Sequence, residues 1–190
     1  MNKRPSYDIE IFKKVYNDAF FDEDPGLYKD STVSDHHSFH SNVFALYAGL
    51  VDKKRRTVPV EFIKSKGMVC NVYVAYYYLK SLCMCGEYEK AYELITSKGK
   101  NSWSNMLREG ATTAFESWSK YQEDRTGKYS KNNISLCHPW SASAIIIIVE
   151  DLIGLKVTKP GWEEYNICSH FPPDISFDIE INVKTGRIII

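Results

Sequence analysis

Glu116 is the residue whose neighbours best suit chemistry: Thr112, Thr113 and Phe115 precede it and Trp118 follows, so hydroxyls and rings gather about one carboxylate. A mid-chain glutamate is by default a solvated surface residue, because burying an unpaired carboxylate is costly. These neighbours favour instead an enclosed, hydrogen-bonded position. His138 stands before Pro139, where a lone histidine reads by default as a helix-start residue. Trp140 is either core or a pocket wall. Trp103 and Trp118 could each stack on an apolar face of a ligand, although burial between helices is the safer reading for at least one. His36, His37 and His40, with Asp35 adjoining, invite a metal reading, but ligand spacing with a second anchoring group is missing. No glycine-rich phosphate loop and no Ser-His-Asp ordering occurs, and no cofactor is expected.

The 190 residues suffice for one ordinary domain with a sizeable core. Lys+Arg and Asp+Glu both count 24, which leaves no electrostatic footprint for nucleic acid or an anionic membrane. Aromatic content is 14%, with 13 Tyr and 4 Trp. Most of these rings belong to the core, and their excess also suits a pocket that stacks on sugar C–H faces. Five cysteines, an odd number without a C-x-x-C pair, read as free thiols, with Cys70 and Cys83 inside apolar runs. The opening MNKRPSYDIEIFKK lacks an apolar h-region, and no stretch approaches membrane-spanning length. A reducing compartment is favoured, cytoplasmic if Met1 is the native start.

Apolar spacing predicts helices over 7–20, 38–50, near Pro59 to Gly67, 69–82, 87–97 and from Ser102, with 21–35 and 122–137 as loops. Residues 69–82 are apolar almost all round and residues 87–97 amphipathic, with a turn at Gly86 between them. That is the pattern of an αα-hairpin in a two-layer toroid. Residues 111–121 resume helical or turn character. The run SASAIIIIVEDLIG at 141–154 has both strand propensity and helix punctuation, and is read as a buried helix starting at Pro139. After Pro160-Gly161 the texture becomes β-like over 162–168 and 175–183, with a turn at Lys184-Thr185-Gly186 and a last strand 187–190.

Four segments in fixed order carry a family resemblance: His40-Ser41-Asn42-Val43-Phe44-Ala45-Leu46 with Gly49-Leu50-Val51; Trp103 to Leu107; Gly110 to Trp118; and Ser135 to Ser141 followed by Gly154 and Pro160-Gly161. Together they resemble the α-L-rhamnosidases of glycoside hydrolase family 78, over nearly the whole chain. The resemblance implies a mainly α fold, the C-terminal portion of an (α/α)6 six-hairpin barrel over 1–159, and the beginning of a C-terminal β-domain over 160–190. It implies inverting hydrolysis of a rhamnose-containing glycoside, which needs an acid for the leaving oxygen and a base for water. Glu116 is then the base. His138 and Trp140 line the sugar pocket, and Trp103 and Trp118 are further candidates for contact with the sugar. The acid belongs to an acidic stretch of an earlier hairpin that has no counterpart here, and about three hairpins are readable by apolar period against six in a closed barrel. The isolated chain is therefore expected to be nearly inactive, and to partner a missing N-terminal half or itself. The alternative is a non-catalytic carbohydrate-binding or structural remnant.

Overall fold

The helical spacings become seven α-helices and four two-stranded hairpins in the computed structural model, which describes residues 8–123, 126–131, 133–184 and 186–189. The chain divides into two units, Met1–Gly67 and Met68–Ile190.

In the first unit, α1 runs Ile9–Phe20, with Asp8 as N-cap accepting from the Glu10 and Ile11 amides. Tyr7, where the expected helix began, lies outside the described residues. Part of the expected loop 21–35 is instead a minimal hairpin, β1 (Phe21–Asp22) against β2 (Leu27–Tyr28). It forms because Tyr28, fully buried, ties its neighbours together. Its amide donates to Asn42 Oδ1 at 3.0 Å and its hydroxyl to Asn17 Oδ1 at 2.6 Å. Asn42, itself fully buried in α2 (Phe39–Tyr47), donates back to the Tyr28 and Ser38 carbonyls. Every polar atom of that amide is thus used, which makes its burial tolerable. The third helix, α3 (Thr57–Lys66), starts before Pro59. Proline fits there because amides in the first turn have no intrahelical partner. The clustered histidines turn to different groups: His36 Nδ1 lies 2.5 Å from Asp30, His37 Nε2 3.0 Å from Asp22, and the His40 ring meets Phe39 edge-on.

In the second unit, Asn71 caps α4 (Val72–Met84), and α5 (Tyr88–Thr96) returns along it as the expected αα-hairpin. The turn closes with Glu87 N–H donating to Leu82 O and Gly86 N–H to Cys83 O. That closure requires a left-handed residue, supplied by Gly86 at φ +84°. Along α4, Val72, Ala75, Tyr78, Leu79 and Leu82 are buried. Tyr73 and Met84 are not, so the enclosure expected from the composition is incomplete. All five cysteines are free, and burial pushes the Cys70 and Cys83 thiols up to about 12.

The sixth helix, α6 (Trp103–Arg108), ends at Gly110 with the same closure as α4. Beyond it, 111–120 is turn without helix, because its backbone groups pair with 135–138 rather than with one another. The expected loop 122–137 contains a hairpin, β3 (Tyr121–Glu123) against β4 (Tyr129–Lys131); residues 124, 125 and 132 lie outside the described residues. The isoleucine run is helical, as expected, but neither uniform nor wholly buried. A tight 3₁₀ turn Pro139–Ala142 leads into α7 (Ser143–Ile147) and a widened π turn Ile148–Leu152. Consecutive helical residues cannot share one face, so Ala144 and Ile147 point inward while Ile145 and Ile146 remain exposed. The widened turn is marked by Ile153 N–H donating to Ile148 O. Asp151 in it is buried and reaches Lys80 of α4 at 2.7 Å.

A strand not foreseen from the sequence, β5 (Leu155–Lys159), precedes Pro160 and pairs with β6 (Glu164–Ile167). Gly154 launches it at φ +73°, where an added Cβ would lie 1.8 Å from the Cys168 carbonyl oxygen, so only glycine allows the approach. The last hairpin joins β7 (Glu180–Val183) to β8 (Gly186–Ile189); 175–179 is not strand, and Thr185 and Ile190 lie outside the described residues.

Asp30 gives the first unit an acid-sensitive clamp. Its carboxyl is held well below the usual carboxylate range by hydrogen bonds from Ser38, first the side chain, and from His36. A depressed folded value means stabilisation present above the unfolded value of about 3.9 and lost as pH falls through it toward the folded value. Solvent exposure keeps the effect modest. Asp30→Asn should therefore be less stable than the parent at pH 7, with the gap closing below about pH 4. Thermal unfolding at pH 7, 4 and 3 checks this, and a gap independent of pH would refute it.

Candidate active site

Glu116 is positioned by backbone pairing between two loops rather than by a helix. Its amide donates to Ser135 O at 2.9 Å, and the Ser135 amide donates back to Glu116 Oε2 at 2.8 Å. Two residues earlier, Ala114 O accepts from the His138 amide at 2.8 Å, and the Thr113 hydroxyl donates to Leu136 O. The Trp140 indole N–H donates to Glu116 O at 3.3 Å. One carboxylate oxygen is therefore tethered, while Oε1 has no hydrogen bond among the described residues. The side chain is half-buried, with Phe115 buried behind it. A carboxylate held through one oxygen and open at the other is suited to accepting a proton from water.

His138 and Trp140 stack on each other, ring centroids 4.0 Å apart at 23°. Ser141 caps the turn by donating its hydroxyl to His138 O at 2.9 Å. His138 Nδ1 is buried and lacks a partner among the described residues. Glu116, His138 and Trp140 are thus brought together on one ladder. Trp103 and Trp118 lie elsewhere in the same unit, as a perpendicular pair with centroids 4.9 Å apart. Both indole N–H groups are engaged internally, Trp103 with Ser141 O at 2.6 Å and Trp118 with Cys70 O at 2.7 Å. Trp118 is buried; Trp103 is half-buried and lines a cleft of about 320 Å³ with Met106, Thr112, Thr113, Ser141 and Ile145. On the other side of 139–146, a smaller cleft of about 200 Å³ is walled by Tyr73, Tyr77 and Trp140. Glu116 lines neither.

Three contributors were not legible in the sequence. Ser135 acts through its amide, which leaves no side-chain signal. Tyr73, half-exposed, packs on Trp140 at 5.2 Å across more than sixty residues. Glu109 organises the loop after α6: its carboxylate accepts from the Ser119 hydroxyl at 2.6 Å, the Lys120 amide at 2.8 Å and Asn105 Nδ2 at 3.0 Å. A signal for it existed, since an acid at a helix C-terminus opposes the helix dipole and needs another reason to be there.

The sequence profile of the bacterial alpha-L-rhamnosidase 6 hairpin glycosidase domain matches residues 6–150. Among solved structures the chain is similar to the α-L-rhamnosidase from Dictyoglumus thermophilum, with 22% identity and a TM-score of 0.74 over 95% of this chain and 20% of that one. It is also similar to the native enzyme from Aspergillus terreus, with 17% identity and a TM-score of 0.75 over 93% of this chain and 20% of that one. The Streptomyces avermitilis α-L-rhamnosidase complexed with L-rhamnose gives 18% identity and a TM-score of 0.70, over 95% of this chain and 18% of that one. The chain spans about a fifth of the length of these structures, and at such identities the likeness speaks to fold. No curated protein matches.

Glu109→Ala removes three acceptor contacts and should destabilise the second unit by about 1–3 kcal/mol. Amide exchange over 116–120 should accelerate while that of α4 stays slow, as read by hydrogen exchange with mass spectrometry. Unchanged exchange over 116–120 would show that the loop holds itself.

Proposed function

The chain belongs to the bacterial α-L-rhamnosidase six-hairpin glycosidase domain family, and from that premise we propose that it supplies the base-bearing part of an inverting α-L-rhamnosidase. In this reading residues 1–159 are the C-terminal portion of the barrel domain and residues 160–190 open a β-domain. Glu116 is the general base: Oε2 is fixed by the Ser135 amide and Oε1 draws the proton from the attacking water. His138 and Trp140 hold the sugar, the imidazole through a rhamnose hydroxyl and the indole as a wall. Trp103 borders the adjacent cleft, and Trp118 supports the loop from behind. The carboxylic acid that protonates the leaving oxygen comes from residues outside this chain. The observation that carries the reading is the tethered Glu116 carboxylate, on one ladder with the stacked His138–Trp140 pair.

The chemistry separates the two halves of the reaction. General-acid assistance contributes roughly 10²–10⁴-fold, and a leaving group that departs without protonation does not need it. The purified chain should therefore hydrolyse α-L-rhamnosyl fluoride slowly, releasing β-L-rhamnose first, and leave an alkyl rhamnoside nearly untouched. Glu116→Gln should abolish the fluoride reaction. Comparable turnover of both substrates would overturn the missing acid, and a fluoride reaction indifferent to Glu116→Gln would overturn the base. A non-catalytic carbohydrate-binding module is the second reading, favoured by the absence of Glu116 from the lining of either cleft. It predicts L-rhamnose binding with no turnover of the fluoride.

A further inference from the structure

Trp162 is the one non-glycine residue with a positive φ, +66°, among the described residues. It follows Gly161, at φ +73°, in the turn between β5 and β6 that the Lys159–Glu164 pair closes. Left-handed residues suit a tight reversal between strands, and glycine adopts that conformation freely. A side chain there presses its Cβ on the following carbonyl oxygen, and for one as bulky as tryptophan the conformation is an outlier. Burial does not offset the strain. Trp162 is only half-buried, and its ring meets Tyr165 edge-on at 6.5 Å, with Tyr165 itself 40% exposed. The other three tryptophans, Trp103, Trp118 and Trp140, all donate their indole N–H to backbone carbonyls. The Trp162 indole N–H has no partner among the described residues and is open to solvent. Strained residues of this kind collect at ligand clamps, where the conformation serves to present the side chain.

The charges flanking the turn select among occupants. Lys159 and Glu164 form an ion pair with both side chains about half-exposed, and Glu163 is exposed. An apolar polypeptide face laid over Trp162 would strip water from these groups at a cost, whereas the hydroxyls of a sugar can hydrogen-bond to them. The carboxylates also oppose the phosphates that would accompany a stacked nucleobase. We infer that Trp162 is a recognition residue for a neutral pyranose. The sugar lays a C–H face on the indole, the indole N–H donates to a hydroxyl, and the Lys159–Glu164 pair takes further hydroxyls. This site does not depend on the role proposed for Glu116, and glycine at position 162 would remove the strain and the binding surface together.

The test labels the 190-residue chain with 5-fluorotryptophan, so that its 4 tryptophans give separate fluorine NMR lines, assigned by substitution. Methyl β-D-glucopyranoside and methyl α-L-rhamnopyranoside are titrated in turn. The Trp162 line should move saturably with at least one of them. Trp162→Gly should weaken that sugar's binding about tenfold through the lost ring, and raise the melting temperature by about 3 °C through relief of one left-handed residue. Trp162→Phe, which keeps a ring and loses the N–H, should weaken binding about fivefold. A lowered melting temperature for Trp162→Gly would mean that the ring packs the hairpin, and the proposal is overturned. It is overturned equally by a Trp162 line that ignores both sugars, or by self-association in sedimentation that Trp162→Gly abolishes, which would make the occupant a second copy. If the rhamnoside moves the Trp140 line alone and the glucoside moves neither, the Glu116 site binds sugar and the hairpin does not. If the Trp162 line alone responds, the hairpin site stands and the reading of Trp140 as a sugar contact fails.

Discussion

The backbone exchange between Glu116 and Ser135 is the constraint on which the candidate site depends. Each residue gives its amide to the other, one to a carbonyl and one to a carboxylate. That exchange sets the register of two loops that have no helix or long strand of their own. With the register fixed, His138 falls opposite Ala114, and Trp140 can reach the Glu116 carbonyl. A hydrogen bond from a backbone amide to an ionised carboxylate is among the stronger neutral–charged contacts, and it orients one oxygen without occupying the other.

The helices around this ladder act as its frame. Glu109 and Asn105, at the end of α6, take up the Ser119, Lys120 and Trp118 backbone and side-chain groups, so the loop leaves the helix in one direction. Trp118 then anchors it to the Cys70 carbonyl in front of α4. On the far side, Lys80 of α4 holds both Asp151 and Glu150 in the widened turn after α7. Partial burial disfavours the ammonium, but hydrogen bonds and the two negative charges outweigh it and raise the Lys80 pKa. The pair ties α7, and with it the turn bearing His138 and Trp140, to the αα-hairpin. Breaking one partner of a poorly solvated pair is costly because it strands the other charge.

The frame was largely legible in the sequence and the ladder was not. Helix starts at Ser38 and Ser102, the stop at Gly86 and the amphipathic face of α5 are local signals, each decided within a turn or two of chain. Of the hairpin β5–β6, the β-like stretch 162–168 announces β6, whereas β5 has no local signal because it is launched by the Gly154 approach to Cys168, a contact between residues fourteen positions apart. The isoleucine run implies a buried helix, but hydrophobicity alone does not say which residues of a helix face a neighbour. Ile145 and Ile146 stay outside because α7 packs through Ala144 and Ile147.

By itself the sequence determined the main helices, their order and the identity of the residues able to do chemistry, since caps, periodicity and side-chain type are properties of short stretches. Only the tertiary structure decided which of those residues meet. The loops bearing Glu116 and His138 converge through main-chain hydrogen bonds, which any residue can make, and Trp140 joins them through its indole N–H, while Trp103 and Trp118, equally suited by type, spend their indole N–H groups inside the fold. Pairing across loops depends on where the frame holds their ends, and no local pattern of residues encodes that distance.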